Sequence, residues 1–125
     1  MSVAADASIS AASTMPISTE WITSRRRLPR YDEFSILISH TPEVYRHAAH
    51  ADFNLLLSGH THGGQICLPG GIPITLHSVL PRSMGSGAWK YHDIGYTSVG
   101  AGSSVVPVRF NCPPEITLHH FHLSS

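Results

Sequence analysis

The chain has 125 residues, enough for one modest domain with its own core and too few for two comfortable ones. Lys plus Arg number 8 and Asp plus Glu number 8, so the charge balance offers no basic field to attract nucleic acid or an anionic membrane surface. The ten histidines outnumber Lys plus Arg and supply neutral imidazoles suited to divalent metals near pH 7. Cys67 and Cys112 follow no close-spaced zinc or redox pattern and are too few for a disulfide framework, so they read as ordinary buried thiols. No apolar stretch approaches the roughly 20 residues that cross a bilayer, and no signal-peptide pattern is present. The expected chain is soluble, cytoplasmic or peripheral to the membrane.

Residues 1–30 are rich in Ala, Ser and Thr, are interrupted by Pro16 and the Arg25-Arg26-Arg27 run, and show no helical or strand period. They read as a disordered or unrelated leader; Asp6 and Glu20 weaken an organelle-targeting reading. The domain is expected over 31–125. Phe34 to Ser39 is a short branched apolar run of the kind expected for a strand covered on both faces. Thr41 as cap, Pro42 in the first turn and Glu43 at the positive end predict a helix over Pro42 to His50, closed by Asp52. Phe53 to Ser58 predicts a second buried strand, stopped at Gly59. The crossover of about a dozen residues is the minimum for a parallel connection, so these pieces predict a βαβ unit. Beyond Gly71, Ile72 to Leu76, Tyr96 to Val99, Val105 to Phe110 and Ile116 to Leu123 read as short strands, the last near a sheet edge.

The βαβ reading has a functional consequence. Ligands on open parallel sheets collect beyond the carboxyl ends of the strands, and both His40 and the Gly59-His60-Thr61-His62 turn emerge there. In extended backbone His60 and His62 point the same way, and Gly59, Gly63 and Gly64 permit the backbone shapes of a crowded site. An arbitrary His-x-His is more often a solvated loop. Here the flanking glycines, the apolar strand before it and His40 at the neighbouring strand end favour metal binding.

Ile36-Leu37-Ile38-Ser39-His40-Thr41-Pro42-Glu43, followed by Leu57-Ser58-Gly59-His60-Thr61-His62-Gly63-Gly64-Gln65, resembles the last two metal motifs of the calcineurin-like metallophosphoesterases. Asn111-Cys112-Pro113-Pro114-Glu115-Ile116 is similar to the terminal strand region of a bacterial subgroup of predicted phosphohydrolases, some of them membrane-associated. The resemblance implies an α/β fold, the carboxyl-terminal part of a four-layer αββα sandwich. It also implies that His40 and His60 ligate one metal of a binuclear centre and His62 the other, with Mn, Fe or Zn as the ions. The implied reaction is hydrolysis of a phosphomonoester or phosphodiester without a covalent intermediate on the protein.

The family's upstream D-x-H, G-D-x-x-D and G-N-H-[DE] motifs have no counterpart in the sequence, and its carboxylates fall in no such pattern. The expectation is therefore a partial domain holding half of the centre, with room for one ion on three imidazoles. A partial sandwich also leaves a sheet edge and an apolar face for a partner to cover. The alternative is a catalytically inactive remnant that binds a metal or a protein. His119, His120 and His122 alternate across a predicted strand and read as solvated. Arg82 and Arg109 are read as exposed or structural before phosphate-binding, and Trp89 and Tyr91 as packing.

Overall fold

The structure, a computed structural model, describes residues 34–76, 78–92 and 94–122. The leader expected over residues 1–30 lies outside them, as does Leu123. Strand β1 (Ile36–Ile38) runs parallel to β2 (Leu55–Ser58), with Leu37 opposite Leu56. Between them, a 3-10 turn over Pro42–Val44 leads into α1 (Tyr45–His50). The helix predicted over this stretch is present, but its first turn is wound more tightly. Thr41 makes no side-chain cap, and the Tyr45 N–H bonds to the Pro42 carbonyl in the i→i+3 pattern. At the other end Asp52 adopts a left-handed φ of 56°, the conformation that reverses a chain after a helix.

Two short pieces, β3 (Cys67–Leu68) and β4 (Ile72–Pro73), form an antiparallel hairpin. Then β5 (Gly87–Lys90) and β6 (Ile94–Thr97) pair antiparallel, and β6 joins β2 in parallel. The larger sheet thus has the order β1-β2-β6-β5. Leu37, Leu56, Gly95 and Trp89 lie in one row across it. Leu37, Leu56, Ala48 and Phe53 form the buried core, with Val44, Tyr45, Ala51 and Trp89 packed against it. The Trp89 ring lies flat against Gly95, where a Cβ would sit 2.2 Å from it.

This is an α/β fold, and one mixed sheet with a helix against it fits a part of the layered domain that the resemblance implies. Several local expectations are corrected. β1 is an edge strand covered on one face only: Leu37 is buried whereas Ile38 is 42% exposed. The run from Ile72 to Leu76 keeps its strand only at Ile72–Pro73. Val105 to Phe110 makes a single bridge, Ile66 with Phe110, because Pro107 removes a donor and Val105 takes a φ of 52°. Ile116 to His122 forms no strand: its described residues bond to no neighbouring ladder, and Ile116 is 89% exposed. β5 was hidden by its own sequence, since Gly85-Ser86-Gly87 reads as loop.

Candidate metal centre

The carboxyl ends of β1 and β2 are tied together just beyond the sheet. The Ser39 N–H donates to the Leu57 carbonyl at 2.9 Å, and the Gly59 N–H donates to the His40 carbonyl at 3.3 Å. This brings His40 and His60 side by side, with ring centroids 4.6 Å apart and planes inclined at 55°. Both residues are exposed at the rim. Neither ring has a hydrogen bond to another described residue, so both imidazoles retain nitrogen lone pairs for a ligand.

The turn that follows has an unusual backbone. His60, His62, Gly63, Gly64 and Gln65 have φ values of 70°, 49°, 62°, 83° and 57°, all in the left-handed region. For a side chain other than glycine such a conformation costs about 1–3 kcal/mol, and strain of this kind collects at functional sites. Side chains hold the turn in place. Thr61 Oγ1 donates to the Gly85 carbonyl at 2.6 Å and accepts the Gly63 N–H at 3.3 Å. The two glycines are required by space as well as by φ. A Cβ on Gly63 would stand 2.7 Å from Val99 Cγ1 and 2.8 Å from Cys112 Sγ, and one on Gly64 would stand 2.7 Å from the Thr75 carbonyl.

Below the turn, Thr97 Oγ1 is fully buried and donates to the Met84 carbonyl at 2.8 Å. It accepts the Trp89 indole N–H at 2.9 Å and lies 3.2 Å from Ser58 Oγ. The hydroxyls of Ser58, Thr61 and Thr97 are therefore committed to structure. Cys67 and Cys112 are free and buried, as expected, and both sulfurs approach the Gly63 carbonyl. Burial, followed by the neighbouring Cys112, pushes the Cys67 thiol above its ordinary pKa.

His62 takes a different position from its two companions. It is half-buried, and its Nδ1 lies 3.5 Å from Arg109 Nη2. Among the described residues no three of His, Cys, Asp and Glu converge as a metal-binding group. Two of the three expected imidazoles thus meet, while the third sits on the inner side of the turn. A pair of accessible neutral imidazoles fits a divalent ion as part of its ligand set. No carboxylate joins that pair among the described residues.

Two further residues hold the surroundings of this turn in place. Gln65, which closes the Gly59 to Gln65 motif, is buried: its Nε2 donates to the Val106 and Val108 carbonyls at 3.3 and 3.4 Å, and its Oε1 accepts the Ser104 N–H. One amide side chain thereby replaces a ladder partner for 104–108. Arg109 is wholly engaged with backbone carbonyls and neighbouring side chains, in line with a structural arginine.

No family-wide sequence model matches the chain, and no solved structure gives a significant match. Individual proteins are. An uncharacterized metallophosphoesterase of Bacillus subtilis, YkuE, is 38% identical over 86 residues, which are 68% of this chain and 30% of that protein. The phosphodiesterase YaeI of Escherichia coli is 33% identical over 96 residues, 76% of this chain and 33% of its own length. A bovine transmembrane protein with a metallophosphoesterase domain is 32% identical over 90 residues, 69% of this chain and 19% of that protein. The chain thus spans between 19% and 33% of the length of these relatives. No helix of the described residues is long and apolar enough to cross a membrane. With such relatives matching about two-thirds of its length, the chain belongs to the calcineurin-like metallophosphoesterase superfamily.

Proposed function

We propose that this protein is a hydrolase of phosphoric esters, a phosphomonoesterase or phosphodiesterase, with His40, His60 and His62 as ligands of a two-metal site. The observation that carries this reading is the His40–His60 pair, 4.6 Å apart at the carboxyl edge of two parallel strands. The names of the relatives YkuE and YaeI support it. When bound at such a site, a divalent ion supplies Lewis acidity toward phosphoryl oxygens and acidifies water. His40 and His60 present their rings from fixed strand ends and leave the solvent side open to an anionic substrate. Thr61 and Ser58 hold their hydroxyls in internal hydrogen bonds, which favours direct attack by water over a phosphorylated side chain. Because no carboxylate joins the histidines among the described residues, a complete centre needs further donors, and Mn, Fe or Zn suits the imidazoles already present.

The test uses the purified full chain with added Mn on a chromogenic phosphodiester, beside the His40→Ala and His60→Ala variants. We expect at least a tenfold fall in metal affinity in each variant, and loss of whatever hydrolysis the parent supports. Parent hydrolysis no higher than in the variants would remove the claim that this chain is itself an enzyme. Metal affinity unchanged by both substitutions would remove the ligand assignment as well.

A further inference from the structure

Arg109 reaches three separate segments with one guanidinium. Its Nη2 donates to the Val99 carbonyl at 2.6 Å, to the Gly100 carbonyl at 3.1 Å and to the Gly102 carbonyl. Its Nε also donates to the Gly102 carbonyl, at 2.9 Å. Its Nη1 reaches the Cys112 carbonyl at 3.3 Å and the His62 carbonyl at 3.4 Å. Every N–H direction of the fork is thus directed at the protein itself, and none is left for a phosphate oxygen. A phosphate clamp would need at least one free edge of the guanidinium. This arginine has the opposite arrangement.

What those carbonyls have in common is the wall against which the metal turn rests. Gly63 sits so close to Val99 Cγ1 and Cys112 Sγ that a single added carbon would overlap both. Val99 and Cys112 are two of the residues whose backbones Arg109 holds. The arginine therefore acts on His62 by two routes. One is direct, through the His62 carbonyl and the 3.5 Å approach to its Nδ1. The other runs through the wall beneath Gly63, the next residue in the chain. Without that wall the left-handed run from His62 to Gln65 keeps only the Thr61 and Gln65 side-chain bonds to oppose its return to ordinary backbone angles.

We propose that Arg109 is a positioning residue for His62, fixing the inner half of the metal-binding turn by bonding the 99–102 loop and Cys112 to it. This takes its functional meaning from the phosphoesterase reading above. Its structural content can be tested without any metal.

The experiment is amide hydrogen exchange by NMR on the metal-free full chain, comparing the parent with the Arg109→Met and Arg109→Lys variants. The informative amides are Gly64 and Gln65, which close the turn onto the Thr61 and His62 carbonyls at 2.8 and 3.1 Å. Ser39, bonded to Leu57 across β1 and β2, is the internal reference. In Arg109→Met we expect at least tenfold faster exchange at Gly64 and Gln65 with Ser39 unchanged. Arg109→Lys should restore only part of the protection, since one ammonium cannot bridge acceptors on three segments. Unchanged exchange at Gly64 and Gln65 in Arg109→Met overturns the proposal. Equal loss of protection at Ser39 in both variants also overturns it, because the arginine would then be a general stabiliser. Zinc titration of the same three samples separates the two readings: a parent that binds no zinc defeats the metal assignment and leaves the exchange result standing. A parent that binds zinc, with Arg109→Met bound about tenfold more weakly, joins the two.

Discussion

The stretch 34–60 and the stretch 98–122 lie on either side of the same histidine turn and are held together in different ways. The first forms β1, α1 and β2, with backbone ladders between strands and Leu37, Ala48, Phe53 and Leu56 sealed between sheet and helix. The second has a single bridge to the rest of the chain and leaves Val105, Ile116 and Leu118 more than three-quarters exposed. Its order comes from polar side chains: Gln65 holding 104–108, Arg109 holding 99–102 and 112, and Tyr96 holding Glu115 and Thr117. Regular structure distributes its support over many weak bonds. An irregular segment concentrates support in a few residues and is sensitive to each of them.

The largest expected effect tests the regular half. Leu56 is 3% exposed at the centre of the core, so Leu56→Ala should cost about 2–5 kcal/mol in urea denaturation. A loss below about 1 kcal/mol would show that the stability of the chain does not rest on the βαβ unit. A smaller and more local effect is expected from Gln65→Ala. Removing the amide takes away its three part-buried hydrogen bonds to the exposed 104–108 segment and should cost about 1–3 kcal/mol. Limited proteolysis should accelerate within 102–110 while the helix stays protected; cleavage at the parent rate would mean that the segment is held by something else. The smallest effect concerns the far end. Tyr96→Phe removes the hydroxyl that meets Glu115 and Thr117, worth about 0.5–1.5 kcal/mol, and should shift the NMR signals of His119, whose ring packs edge-on against Tyr96 at 4.7 Å.

The same contact depends on pH in a definite direction. The Thr117 hydroxyl, and after it that of Tyr96, holds the Glu115 carboxyl below its ordinary 4.5. A depressed carboxyl stabilises the folded form above its ordinary pKa, and that contribution is lost as pH falls through the lowered value. Acid titration of the Tyr96 and Thr117 signals should therefore show release of the 115–119 contact in the acid range, and signals flat through that range would rule it out.

How far the sequence was legible follows the same division. Ile36 to Ile38 and Leu55 to Ser58 were readable because branched apolar runs of strand length carry their own pattern, and the parallel pairing followed from the length of the crossover. His40 and His60 were legible as rim residues because each ends such a run. The register of His62 was not, since alternation assumes extended backbone and the turn leaves it at His60. The alternation of apolar residues from Ile116 onward suggested a strand, but a strand needs a neighbour with free backbone groups. The described residues offer that segment only isolated contacts, such as the Glu115 N–H to the Gly100 carbonyl at 3.0 Å. Gln65 and Arg109 act across 39 and 47 positions of sequence separation, beyond the reach of any local pattern.

The left-handed backbone at His60 and again at His62 also sets the direction in which the chain can drift under mutation. At both positions glycine would adopt the observed backbone with less strain than histidine, by about 1–2 kcal/mol. Selection for stability alone would therefore erode the imidazoles first. If the rings hold a metal as proposed, stability and function pull the sequence in opposite directions at this turn.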